Sequence, residues 1–181
     1  MRQAIRMFAV FSIFPLLAFT QPQLSPYAGQ EQRHIKALAP EEIRMYLEGH
    51  GMGFAKAAEL NHYPGPKHVL ELAKQLNLSA TQLAQTQKAF DRMHAEAVRL
   101  GKLIVAKEKQ LDSLYAMQKI DATQLRAVVG DIASLQGELR VTHLNAHLEM
   151  KKTLSPQQIA KYDELRGYGK GMPPEYPHGK H

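Results

Sequence analysis

The chain has 181 residues, with 23 Lys or Arg against 17 Asp or Glu, nine His, eight Met, and neither Cys nor Trp. Without Cys there can be no disulfide framework, Cys-ligated zinc, iron–sulfur centre or thiol nucleophile. Apolar residues at 44% and charged residues at 22% describe a folded domain with a modest core, and a formal net charge of +6 is too small a surplus to imply a nucleic-acid partner.

Arg2 and Arg6 precede an apolar run, Met7 to Phe19, which is too short to span a bilayer comfortably as a helix. Residues 1–20 therefore read as a signal peptide for export, cleaved after Thr20 or retained as an anchor. Residues 21–37 are polar, carry two Pro and one Gly, and show neither helical nor strand period, so they read as a flexible lead-in. No later run alternates in the manner of a strand, and the expected fold is all-α.

One punctuation mark recurs along the rest of the chain. An apolar residue is followed by Ser or Asp, two variable residues, Gln, and another apolar residue. It occurs at Leu78-Ser79-Ala80-Thr81-Gln82-Leu83, Ile120-Asp121-Ala122-Thr123-Gln124-Leu125 and Leu154-Ser155-Pro156-Gln157-Gln158-Ile159. Each predicts a helix start, with a capping box closed by the Gln and a hydrophobic staple across it. Leu38-Ala39-Pro40-Glu41-Glu42-Ile43 keeps the spacing without a capping side chain, so its helix should fray more. The predicted helices are 40–48, 54–61, 67–76, 79–117, 121–152 and 155–166. A turn at Gly49-His50-Gly51-Met52-Gly53 and a break at His62-Tyr63-Pro64-Gly65-Pro66 separate the first three. The domain spans 38–168, and the Gly- and Pro-rich residues 169–181 form a loose tail.

Leu83, Phe90, Ala97, Ile104 and Leu111 repeat every seven residues, with Met93, Leu100 and Leu114 interleaved. Leu125, Ile132, Leu139 and Ala146 do the same beyond the turn at Met117 to Ile120, supported by Val128, Val129 and Leu135. Two heptad helices joined by a tight turn predict a long antiparallel helical hairpin with short flanking helices. A first helix of about 57 Å exceeds a compact globule of this size, so its apolar stripe needs either the short helices or a partner subunit, and a homodimer is the expected solution. Gly101, Gly130 and Gly137 inside these helices are candidates for close approach or curvature.

His143, His147 and Met150 fall on one face at spacings of four and three. Two imidazoles one turn apart can hold the same ion, and a nearby thioether favours a soft one such as copper. A turn centred near residue 119 would set His94 and Asp91 opposite this face. Asp91 could equally be an ion-pair partner of His147, and Met150 could be plain packing. In the N-terminal half, His50 and Met52 lie in a glycine-rich turn that could close around an ion or simply be a loop. His62 and His68 also fit a solvated turn, while Met172, His178 and His181 lie in the tail. Catalysis has no support: no Ser sits in a Gly-rich elbow, and phosphate loops, dinucleotide fingerprints and His-Glu-x-x-His are absent. The pairs Glu41-Glu42 and Asp163-Glu164 read as helix-end charges.

The segments Leu78-Ser79-Ala80-Thr81-Gln82 and Leu154-Ser155-Pro156-Gln157-Gln158 resemble the Leu-Thr-x-x-Gln motif of the Spy/CpxP-like periplasmic proteins, with Ser for Thr. That group includes a periplasmic heavy-metal sensor and zinc-resistance-associated branch, and the resemblance covers residues 38–168. It implies an all-helical hairpin in a cradle-like antiparallel dimer. It also implies either metal binding (copper, zinc or nickel) in heavy-metal sensing and envelope stress resistance, or ATP-independent holding of unfolded client proteins. A membrane-bound signalling partner goes with the sensing role. In the metal branch a His is followed four residues later by Met. His143 matches the first position, and His147 replaces the Met. The branch's N-terminal His-x-x-x-His pair is absent, which leaves His50 and Met52 as the nearest candidates.

Overall fold

The computed structural model describes residues 24–168. The expected signal peptide and the whole of the 169–181 tail, with Met172, His178 and His181, lie outside the described residues. The chain divides into two units at Glu31 and Gln32. The described part of the first holds two turns, Ser25 to Ala28 and Tyr27 to Gln30. The second holds every helix among the described residues.

Six helices and no strand occur among the described residues: α1 Pro40–Leu47, α2 Lys56–Glu59, α3 Pro66–Glu71, α4 Ala80–Ala116, α5 Ala122–Thr153 and α6 Pro156–Leu165. None is long and apolar enough to cross a membrane. The three capping boxes form as the punctuation predicts. Ser79 accepts from the Gln82 N–H, Asp121 from Gln124, and Ser155 from Gln158, and each Gln side chain accepts the N–H of its cap residue. Ala39 offers no side-chain acceptor, and only the Glu42 half of that box exists, at 2.7 Å. α2 is a single turn, shorter than the spacing predicts, and α3 stops at Glu71 because the chain beyond it breaks into successive turns.

The motif glutamines also carry tertiary structure. The Gln82 amide donates to Gln158 Oε1 at 2.8 Å, and the Gln158 amide donates back to Gln82 Oε1 at 3.1 Å. Their remaining donors reach the Thr153 and Leu76 carbonyls. The two repeated motifs thus close on each other and pin the start of α6 to the start of α4.

α4 and α5 form the antiparallel hairpin. At 37 residues α4 is about 55 Å long. Ion pairs Lys107–Asp131, at 2.7 Å, and Arg92–Glu149 cross the pair close to the register that a turn near residue 119 requires. The seam is buried where a third element covers it. Ala97, Leu100, Ile104 and Leu139 join Tyr46 of α1 with Ile35 and Leu38 in one apolar cluster. Residues 32–37, expected within the flexible lead-in, in fact pack here: Ile35 is 1% exposed, and Lys36 bonds to Asp112. The second cluster, at the open end of the hairpin, joins Val69, Leu76, Ala89, Met150, Leu154, Ile159 and Tyr162.

Toward the hairpin tip two helices alone cannot bury two full stripes. Leu125 and Val129, both expected in the seam, are exposed, as is Leu83 at the start of α4. Gly101 lets α1 lie directly on α4, since a Cβ there would stand 2.0 Å from the Tyr46 carbonyl oxygen. Gly130 and Gly137 face open space, so close approach within the chain does not account for them.

Candidate functional site

The two apolar clusters are separated along both hairpin arms. On α4 the buried series passes from Ala89 to Ala97, and between them Phe90, Met93 and His94 are only half-buried. On α5 it passes from Leu139 to Met150, and between them stand His143 and His147, 4% and 8% exposed. Imidazoles thus occupy two layers of a seam that is otherwise aliphatic. A cavity of about 620 Å³ opens beside them, roofed by the Gly49–Gly53 turn, by α2 and by the start of α3.

His147 is held by the break after α2. Its Nδ1 lies 2.7 Å from the Tyr63 carbonyl oxygen. A carbonyl only accepts, so Nδ1 carries a proton, and it is Nε2 that can offer a lone pair to a ligand. Fixing one ring nitrogen on a carbonyl while the other stays free is the usual arrangement behind a metal-binding histidine. Glu59 Oε2 lies 3.7 Å from the same Nδ1. Gly65, at the start of α3, approaches the other side of the ring. A Cβ there would stand 2.9 Å from Cε1 and 3.1 Å from Nε2, so a side chain would crowd the free nitrogen.

His143 sits deeper. Its ring stacks on Phe54 at 6.1 Å and 14°, and its Nε2 is buried without a hydrogen-bond partner. Burial holds its pKa far below the ordinary imidazole value, at about 4, and the positive charges that His147 and His94 would carry push the same way. The ring is therefore neutral and available as a ligand across the physiological range. His94 stacks on Phe90 at 5.6 Å and lies against the buried Gly49. His50 and Met52 line the same cavity, as does His68. Exposed, His50 has its Nε2 3.1 Å from Glu48.

The fold therefore brings together five of the candidate ligands: His143, His147, His94, His50 and Met52. It leaves out two. Asp91, three residues before His94, is turned away from the cavity, is exposed, and accepts a hydrogen bond from Gln87 at 2.8 Å. Met150 is fully buried in the open-end cluster with Val69, Ile159 and Tyr162, so it is packing. His62 points elsewhere, to Asp163 at 2.8 Å. Met45, Met93, Glu59 and Gly65 also line the cavity, and sequence reasoning does not find them. Met93 is readable only as a seam residue. Met45, Glu59 and Gly65 lie on elements too short for any period to orient.

Glu59 anchors a polar network under the site. Its Oε1 accepts from Tyr162 at 2.6 Å and Tyr168 at 3.2 Å, and Arg166 Nε pairs with it at 3.4 Å. Burial and the adjacent carboxylate push the Tyr162 phenol well above its ordinary pKa, so it remains a donor. Among the described residues, no three His, Asp or Glu side chains already converge on one point. The donor set nevertheless fits a metal ion, since an orphaned buried Nε2 and a second imidazole oriented through Nδ1 stand one helical turn apart. Full coordination requires His94 or the His50–Met52 turn to swing inward.

A family model described as heavy-metal resistance matches residues 48–161, most of the chain, and the protein belongs to that family. The matched segment contains every residue lining the cavity except Met45, Arg166 and Tyr168. Neither the curated proteins nor the solved structures contain a match. The family is one of resistance and binding without catalysis, in keeping with the absence of catalytic motifs.

Proposed function

We propose that this chain is a periplasmic metal-binding protein of heavy-metal stress. It takes up a transition-metal ion (copper, zinc or nickel) through His143 and His147, with His94, His50 and Met52 closing on the ion from α4 and the glycine-rich turn. The single observation that carries this reading is the unpartnered Nε2 of His143, buried one turn from a histidine whose Nδ1 is fixed on a carbonyl. A buried polar nitrogen without a partner costs about 1–3 kcal/mol, and an ion would offset that cost. The ion would supply the link that draws the turn and the hairpin together, and such closure could be passed to a membrane-bound signalling partner.

Titration calorimetry on the metal-free protein tests this. Saturable binding near one ion per chain, abolished in His143→Ala/His147→Ala, is the expected result. Heat traces identical to buffer for copper, zinc and nickel would remove the reading.

A homodimer belongs to the same proposal, supported by apolar side chains that α5 leaves open, Leu125, Val129, Val141 and Leu148, which are 37–54% exposed. Light scattering at a monomer mass at high concentration would exclude it. The same apolar side chains, with Leu83 and Leu103, favour a second reading in which the hairpin holds unfolded client proteins without ATP. Unchanged aggregation of a denatured client at molar excess would count against that role.

A further inference from the structure

We infer that the cavity selects a soft monovalent ion, Cu(I) or its analogue Ag(I), over zinc and nickel; this rests on the metal-binding reading and narrows it. Two independent features of the cavity wall carry the inference. The first is sulfur. Met45 of α1, Met52 of the glycine-rich turn and Met93 of α4 line the same cavity as the imidazoles. Three separate elements each contribute a methionine to its wall. A neutral thioether is a poor ligand for zinc or nickel and a good one for Cu(I). Met52 stands with φ 44°, a left-handed conformation that is strained for a non-glycine residue, although glycines flank it on both sides.

The second feature is charge. Among the described residues the only carboxylate lining the cavity is Glu59; its Oε1 is engaged by Tyr162, Tyr168 and Arg166, and its Oε2 lies 3.7 Å from His147 Nδ1. Lys56, Lys67 and Arg166 add positive charge to the wall. A divalent ion held by imidazoles and thioethers would bring its whole charge against these three cations, with the one carboxylate of Glu59 to offset it. Coulomb repulsion scales with the charge of the ion, so a monovalent ion meets half of it. Zinc sites commonly relieve this problem with thiolate or carboxylate ligands, and this cavity has no thiolate and a single carboxylate, Glu59, already bonded through one of its oxygens.

The test measures Cu(I) affinity of the full chain by competition with a chromophoric Cu(I) chelator under reductant. Ag(I) serves as a redox-inert probe by calorimetry, with Zn(II) and Ni(II) run in parallel. Cu(I) and Ag(I) should bind at least about tenfold more tightly than Zn(II), a difference of about 1.4 kcal/mol. The variant Met45→Leu/Met52→Leu/Met93→Leu, close in volume, should lose about 10–100-fold in Cu(I) affinity, the range seen for perturbed metal sites, while Zn(II) binding stays within about twofold. Zn(II) binding as tight as Cu(I), or a triple variant with unchanged Cu(I) affinity, would overturn the selectivity. If Zn(II) binding persists in wild type and vanishes in His143→Ala/His147→Ala, the metal-binding reading survives that failure. Absence of binding for every ion overturns both.

Discussion

Acidification offers a direct probe of the buried imidazole. His143 titrates near pH 6.5 when unfolded and near 4 in the fold, because burial and the neighbouring His147 and His94 disfavour its cation. Between those values the unfolded chain binds a proton that the native chain refuses, so stability is full above the unfolded pKa and falls as pH drops from 6.5 toward 4. With a shift of that size the loss from this one residue is about 2 kcal/mol at pH 5, approaching about 3 kcal/mol below pH 4. Replacing His143 by Leu removes the titration and the orphaned nitrogen together. The metal-free variant should equal or exceed wild type at pH 5, while the two differ less in that direction at pH 7.5. Urea denaturation at pH 7.5, 6.0 and 5.0, read by circular dichroism, measures the difference and cancels the titration of the other histidines. Parallel pH dependences for the two proteins would refute the claim that His143 is buried and neutral.

Three further outcomes rest on single contacts. Gly65→Ala suits the local backbone, at φ −89° and ψ 140°, but would crowd the free nitrogen of His147. Calorimetry should show metal affinity reduced about 10–100-fold with the melting temperature nearly unchanged, and equal affinity would mean that His147 does not bind through Nε2. Gly101→Ala drives a methyl into the Tyr46 backbone, and urea denaturation should report a loss of about 1–3 kcal/mol or more, with faster proteolysis within α1. Wild-type stability would show that α1 does not lie on α4. Gln82→Ala strands half of the paired amide and removes one side of a capping box. Its expected cost is about 1–3 kcal/mol, and a double-mutant cycle with Gln158→Ala should give a coupling above about 0.5 kcal/mol. Strict additivity would dissolve the clamp.

Local rules wrote the helices, because capping and period act over a few residues and need no knowledge of the rest of the chain. Ser79, Asp121 and Ser155 begin helices because their side chains bond three residues on. The seven-residue repeat set the partner and register of the hairpin, and the four-residue step put His143 and His147 on one face. Which donors share their cavity was a tertiary decision. His94 and Asp91 stand about 60° apart around α4, enough for one to turn inward and the other to reach solvent, and no period resolves so small an angle. Met150 continues the histidine stripe, yet α3 and α6 cover it and make it core. Met45, Met52 and Glu59 reach the site only because turns and one- or two-turn helices fold back over the hairpin. Segments that short carry too few residues for any pattern to say which way they face.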